Sequence, residues 1–303
     1  MSTALLLLPD FLLIVLGFLL CRHTALNRSV WDAVERLVYY LLFPVLLFNS
    51  ILKSPLQPAQ TLSLAAASVG TVVCGMALAF AVGRWPGVDA RRFASGAQTA
   101  FRFNSYIALA LAERLGGSTG LAWMALSIAL CVPLCNVAAV WPLARHGGHS
   151  YGRELLRNPL ILSTLAGLIA NLLGLRFPDA VATTLQRIGL AALPLGLLGA
   201  GAGLRLGGLK DSPGLAAALM TIRHAILPAA AIGLTAALAL PAEQRAIVVL
   251  FAALPTSSTS YVLAARMGGD GAYVAGLVTL STLLGMLSIP FWLGVLGSLQ
   301  AVG

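Results

Sequence analysis

The chain has 303 residues, of which 59% are hydrophobic and only 10% carry a charge. Soluble domains carry about 25% charged residues, so the composition excludes a protein whose whole surface faces water. The net charge of +9 comes from basic residues at the ends of apolar segments, and not from a basic face of a soluble domain. This pattern excludes a nucleic-acid-binding module and indicates a polytopic α-helical protein of the lipid bilayer.

Apolar segments of about 20 residues, the length that crosses a bilayer as a helix, recur along the whole chain. Breaking the sequence at its charged and Gly/Pro clusters predicts ten transmembrane helices. In chain order they are 3–21, 30–52, 60–83, 91–113, 118–144, 158–175, 181–204, 213–239, 244–266 and 271–298. These spans predict a first five-helix unit over residues 1–144, a short cytoplasmic loop over 145–157, and a second five-helix unit over 158–303.

The basic residues between the spans are unevenly distributed. The connections that follow odd-numbered spans hold twelve Lys and Arg residues, and the opposite side holds five. Because basic loops stay in the cytoplasm, we expect both termini to lie outside the cytoplasm.

One short stretch occurs twice. Residues 111–117 read LAERLGG, and residues 263–269, which lie 152 positions later, read LAARMGG. Other landmarks recur 150 positions apart, namely Pro9 and Pro159, Gly17 and Gly167, and Pro44 and Pro194. Since each unit has an odd number of spans, the second would enter the membrane from the opposite side. The pattern therefore predicts an inverted-topology repeat, which is typical of secondary transporters.

Substrate sites of such transporters lie near the bilayer midplane, where corresponding helices are broken. Pro255 lacks an N–H group and is expected to break the ninth span. Asn104 and Ser105 suit the N-cap of a restarted helix in the fourth. At the 152-residue offset these two align with Thr256 and Ser257. The predicted substrate-binding residues are Arg102, Asn104, Ser105, Tyr106, Pro255, Thr256, Ser257 and Ser258.

Two restarted helices that face one point would attract an anion, because each helix N-terminus carries roughly +0.5 charge. No Asp or Glu lies at either centre, which argues against a cation antiporter. Arg102 has two interpretations. It binds a substrate carboxylate, or it neutralises carbonyl groups at the end of the first half of its span or extends towards the interface.

Polar residues elsewhere in the spans are candidates for the transport pathway, and they are Pro44, Asn49, Asn136 and His224. They are equally explained as helix-packing residues. His224 could carry a proton or could simply be hydrogen-bonded. Neither zinc-type Cys/His spacing nor a phosphate-binding glycine loop is present, so we expect no metal, no cofactor and no enzymatic activity.

Several stretches, taken in order, resemble the auxin efflux carrier family of membrane transporters. They are YYLLFPVLLFNSI, FRFNSYIALALA, PLCNVAAVW, NPLILSTLAGLIAN and LPTSSTSYVLAARMGGD. The resemblance implies two inverted five-helix repeats, a scaffold of spans 1, 2, 6 and 7, and a transport unit in which broken helices 4 and 9 cross. It also implies a homodimer and alternating-access (elevator) transport of small organic anions, such as dicarboxylates or auxin-like acids.

Two departures from the plant members of that family are visible. Phe103 and Asn104 stand where the plant proteins have a proline crossover, and the central loop is short. The chain thus resembles a bacterial-type member, for which we expect the inner membrane. A sodium-coupled symporter of the bile-acid-transporter type is the alternative function, and a channel is a further one.

Overall fold

The computed structural model describes residues 3–53, 58–144, 159–204, 209–257 and 260–302, and every regular element in these ranges is helical. The predicted 145–157 loop lies outside the described residues. The α-helices are α1 (Thr3–His23), α2 (Arg28–Leu37), α3 (Phe43–Leu52), α4 (Pro58–Val82), α5 (Ala90–Gly96), α6 (Ser105–Ala144), α7 (Pro159–Leu172), α8 (Asp179–Leu190), α9 (Ala192–Ala202), α10 (Pro213–Thr221), α11 (Leu227–Ala237), α12 (Ala242–Ala253), α13 (Ser260–Arg266) and α14 (Gly271–Val302).

Five helical stretches within the described ranges are long and apolar enough to cross a membrane, which supports a multi-pass membrane protein. They are Thr61–Val82, Ala90–Leu143, Asp179–Ala202, Pro213–Ala237 and Gly271–Gln300. The second contains 54 residues, more than twice the number that one crossing needs. Ten crossings stay a prediction.

Glycines bring the first helix against the ninth. A Cβ atom at Gly17 of α1 would overlap the carbonyl oxygen of Leu198, and one at Gly201 of α9 would overlap that of Ile14. Only glycine allows backbones to approach this closely, and small residues are the usual means of packing helices within lipid.

The contact between α7 and α3 has the same pattern. A Cβ atom at Gly167 would lie 3.0 Å from the carbonyl oxygen of Phe48. Gly167 follows Gly17 by 150 residues, and Leu198 follows Phe48 by the same number. Two glycines that are 150 positions apart therefore contact two residues that are also 150 positions apart.

The duplicated stretch marks two sharp turns. The chain turns at Gly117, within the range given for α6, with φ 56° and ψ −149°, a conformation that glycine adopts without a steric penalty. After α13, Gly268 has φ 74°, and the N–H of Gly269 donates to the carbonyl of Ala264 over 2.8 Å. Such a left-handed glycine is a common helix stop.

Two π-helical turns interrupt longer helices, at Val38–Leu42 before α3 and at Ile222–Ile226 before α11. Each is followed closely by a proline, Pro44 or Pro228. A proline has no N–H to donate to the carbonyl four residues earlier, so the helix widens at these points.

Candidate substrate site at two joined helix breaks

Two interrupted helices meet through their backbones. A 3₁₀ turn, Ala97–Ala100, follows α5, and α6 restarts at Ser105. The other break separates Ala253, the end of α12, from the start of α13. The N–H of Asn104 donates to the carbonyl of Pro255 over 2.9 Å. This bond brings the two predicted centres together.

Asn104 caps the restarted helix α6. Its Oδ1 atom accepts hydrogen bonds from the N–H groups of Tyr106, at 3.0 Å, and Ile107, at 3.2 Å. The cap predicted from the sequence is thus present. Asn104 is buried, and its amide nitrogen donates no hydrogen bond to a residue in the described part of the chain. The side chain therefore stabilises α6 with one end and keeps two N–H donors at the other.

The second break is held differently. The N–H of Thr256 donates to the hydroxyl of Ser281 on α14, at 2.9 Å, and the N–H of Ser260 donates to the carbonyl of Ser257, at 3.1 Å. The hydroxyls of Thr256 and Ser260 are fully buried and have no hydrogen-bond partner among the described residues. A buried hydroxyl without a partner costs about 1–3 kcal/mol, so these two groups are candidates for contact with another molecule.

Arg223 neutralises the end of α12. Its Nε atom donates to the carbonyl of Leu254 at 2.5 Å, and its Nη2 atom donates to that of Phe251 at 3.2 Å. The guanidinium is 1% exposed, so it is fixed at the negative end of this helix. At the other break, the thiol of Cys135 lies 3.6 Å from the carbonyl of Phe101.

Arg102 is half-buried, and its Nη1 atom donates to the side-chain oxygen of Gln98 at 2.7 Å. The amide nitrogen of Gln98 donates in turn to the carbonyls of Ser95, at 3.0 Å, and Ser260, at 3.2 Å. Gln98 therefore ties Arg102 to the opposite break. The guanidinium groups of Arg102 and Arg223 therefore both lie at the breaks. The sequences of the two breaks contain no Asp or Glu.

The remaining predicted residues are distributed as follows. Ser105 and Ser257 are half-buried at the breaks, whereas Ser258 lies outside the described residues. The Tyr106 ring stacks on Phe43 of α3, with centroids 5.1 Å apart. Tyr106 therefore lies where α6 contacts α3, the helix that contains the predicted pathway residues Pro44 and Asn49.

Those pathway residues have different environments. Pro44 is half-buried near the start of α3, and Asn136 is half-buried on α6. Asn49 is buried, and its amide nitrogen has no partner among the described residues. His224 is hydrogen-bonded through both ring nitrogens, to Ser288 at 2.9 Å and to Ser281 at 2.8 Å.

Sequence reasoning missed four contributors to this region, namely Gln98, Arg223 as a helix cap, Ser260 and Ser281. Each is a polar residue in an apolar helix, which is itself a signal because such groups are costly in lipid. The sequence does not reveal which residues bond to them, because those residues lie on other helices.

The comparisons with known proteins agree with a transporter. Residues 143–293 match the sequence model of a family described as "Membrane transport protein". A "Putative malonate transporter" of Rhizobium meliloti is 28% identical over 302 residues, covering 94% of this chain and 92% of the relative. An "Uncharacterized transporter" of Methanothermobacter thermautotrophicus is 26% identical over 300 residues, covering 95% and 97%.

The family model matches the second half of the chain, and both relatives align with nearly all of it. The resemblance found in the ordered sequence stretches is thereby confirmed, and the second half of the chain matches this family of membrane transport proteins.

Proposed function

We propose that the chain is a secondary carrier that moves small organic anions, dicarboxylates of about the size of malonate, by alternating access. The observation that carries the proposal is the pair of joined breaks, whose own segments contain no Asp or Glu. They contain buried donors without a partner among the described residues, and two guanidinium groups are bonded at them. The relative named as a malonate transporter supports the same substrate class.

The donors suit a carboxylate. The Asn104 amide, the Thr256 hydroxyl and the Ser260 hydroxyl each offer hydrogen to an acceptor, and α6 directs its N-terminus towards the same region. The negative end of α12 is neutralised by Arg223. The local potential is therefore positive, which favours an anion and opposes a sodium ion. The full proposed set of substrate-binding residues is Arg102, Asn104, Ser105, Tyr106, Pro255, Thr256, Ser257 and Ser258.

The recurring glycine contacts support two inverted repeats. Gly17 on Leu198 and Gly167 on Phe48 are the contacts expected if each half repeats the other. In our proposal the close-packed helices form the scaffold, and the broken helices belong to the unit that moves in an elevator-like manner. Pro44, Asn49, Asn136 and His224 are proposed to lie along or beside the pathway.

We further propose a homodimer in the bacterial inner membrane with both termini outside the cytoplasm. Reporter fusions at Gly148 and at Gly303 then report opposite sides of the membrane. Light scattering of the detergent-solubilised protein gives a mass of two chains. Fusions that report one side, or a monomeric mass, contradict these parts of the proposal.

Uptake of radiolabelled malonate into proteoliposomes tests the function. We expect saturable uptake that other small dicarboxylates inhibit and that an imposed sodium gradient does not change. Empty liposomes are the control for leakage. Uptake with a steep, saturable dependence on sodium would favour the bile-acid-transporter type of symporter, and no saturable uptake of any small organic anion would refute the carrier.

A further inference from the structure

A chain of side-chain hydrogen bonds leads from the π turn before α11 to the break that contains Thr256. His224 lies in this turn, and its Nε2 atom is 2.8 Å from the hydroxyl of Ser281 on α14. The same hydroxyl accepts the N–H of Thr256 at 2.9 Å. Ser281 therefore connects an imidazole to the backbone of the proposed substrate site.

The turn itself has a local cause. Pro228 has no N–H to donate to the carbonyl of His224, four residues earlier. That carbonyl accepts the indole N–H of Trp292 at 2.8 Å instead. His224 is thus fixed against α14 by its backbone as well as by its ring.

The orientation of Ser281 differs from that of two neighbouring hydroxyls on its helix. Hydroxyls within helices commonly donate to the carbonyl four residues earlier. Thr279 and Thr282, on the same helix, do so with Ala275 at 3.1 Å and Val278 at 2.9 Å. The Ser281 hydroxyl lies between His224 and Thr256 instead, so partners outside its own helix determine its direction.

The hydrogens of this network can be assigned from its donors. An N–H group can only donate, so the Ser281 oxygen is the acceptor for Thr256. The Ser281 oxygen could also accept from Nε2, but its own hydrogen would then have no acceptor in the described part of the chain. We therefore assign that hydrogen to the Nε2 atom of His224, which accepts it. The Nδ1 atom carries the imidazole hydrogen and donates to Ser288, at 2.9 Å. In this assignment His224 is neutral, beside the buried guanidinium of Arg223.

We propose that His224 and Ser281 are positioning residues of the substrate site. Ser281 engages the N–H of Thr256, which leaves the Thr256 hydroxyl as the group that this residue presents to a ligand. His224 keeps the Ser281 hydroxyl from turning back to its own helix. The inference rests on the proposed function, in which Thr256 contacts the substrate, and it gives His224 a role other than proton transfer.

Malonate uptake by purified variants in proteoliposomes tests this role. Ser281→Ala and His224→Ala are expected to raise the KM about tenfold, the effect of one misplaced hydrogen bond to a charged ligand, with a smaller change in the maximal rate per folded protein. His224→Gln is expected to restore a KM near that of the unmodified protein, because its Oε1 atom can accept the Ser281 hydrogen. Thr282→Val is the matched control, since in the described part of the chain its hydroxyl bonds to its own helix.

Amide hydrogen exchange in detergent, without substrate, gives an independent measurement. Ser281→Ala and His224→Ala should speed exchange at Thr256, and Thr282→Val should not. An unchanged KM in Ser281→Ala, or variants that lose thermal stability alone, would overturn the positioning role. A His224→Gln variant that binds malonate normally but loses a response to a proton gradient would overturn the statement that the role of His224 is other than proton transfer. No uptake by the unmodified protein would instead refute the proposed function, so the two failures are distinguishable.

Discussion

Two regions of the molecule are stabilised in different ways. One is the contact between α1 and α9, and the other is the pair of helix breaks. At the first, glycines let two backbones touch, and there is no room for a single added carbon at Gly17 or Gly201. At the second, polar side chains are buried, and two hydroxyls lack a partner among the described residues. Close packing stabilises the first contact, whereas buried hydroxyl groups without a partner lower the stability of the breaks.

The physical reason lies in the lipid environment. Apolar side chains gain little by leaving lipid tails for each other, so helices associate through close packing and hydrogen bonds. The glycine contacts use the first means. The breaks use the second, through Asn104, Arg223 and Ser281, and they leave some bonding capacity unused. Substitutions in the two regions should therefore differ in how strongly they affect folding and how strongly they affect transport.

The largest effect on folding is expected from the glycine contact. Gly17→Ala or Gly201→Ala places a carbon on a backbone oxygen of the facing helix. Overpacking typically lowers the free energy of unfolding by about 1–3 kcal/mol. Because a backbone atom cannot rotate away as a side chain can, we expect these variants to lie at or above the upper end of that range. We expect little folded protein by fluorescence-detected size-exclusion chromatography.

Gly233→Ala is the matched control for this prediction. Gly233 lies in α11, and a Cβ atom there meets nothing within 4 Å. Alanine favours a helix over glycine by about 1 kcal/mol, so the yield should be unchanged or higher. Normal yields of Gly17→Ala and Gly201→Ala would show that the close contact is not needed.

The next largest effect is expected from Arg223→Gln. It removes charge-assisted bonds to the carbonyls of Leu254 and Phe251, and each bond to a charged group contributes about 1.5–3 kcal/mol. The melting temperature of the detergent-solubilised protein should fall clearly.

Arg102→Gln should instead leave the melting temperature nearly unchanged and weaken malonate uptake, because Arg102 is half-buried and bonded to a side chain. Equal losses of stability in both variants would contradict this distinction.

A smaller effect on folding is expected from Pro255→Ala. Three bonds from other helices hold this break, formed by Asn104, Arg223 and Ser281. Together they outweigh the roughly one or two helical bonds that a continuous helix would gain, at about 1 kcal/mol each. The variant should fold, and its KM for malonate should rise by less than about tenfold. A folded variant without any transport would mean that the proline alone maintains the break.

The sequence predicts some of these features because their causes are local. The residue before a proline prefers extended backbone, and Leu254 has φ −56° and ψ 146°. The Asn104 cap is likewise a local preference, since it bonds residues two and three positions ahead. Gly17 and Gly167 both lie at close backbone contacts, as the small residues of packed membrane helices do.

Other features could not be predicted, because their causes lie far away in the chain. Ser281 reaches Thr256 across 25 positions, and Arg223 reaches Leu254 across 31. Nothing near Ser281 distinguishes it from Thr279 or Thr282, which bond to their own helix. The interruption before Asn104 contains no proline, and the bond to Pro255 that helps hold it comes from the other half of the chain.

The most direct test of the central claim, that the joined breaks bind an anion, is the KM for malonate of Asn104→Asp. Aspartate caps a helix about as well as asparagine, so the bonds to Tyr106 and Ile107 persist and the protein should fold normally. The free end changes from an N–H donor to a carboxylate oxygen. We predict a KM raised at least tenfold, the effect of a lost bond to a charged group, while Asn104→Ala loses both affinity and stability. A well-folded Asn104→Asp protein with the KM of the unmodified chain would contradict an anion site at the joined breaks.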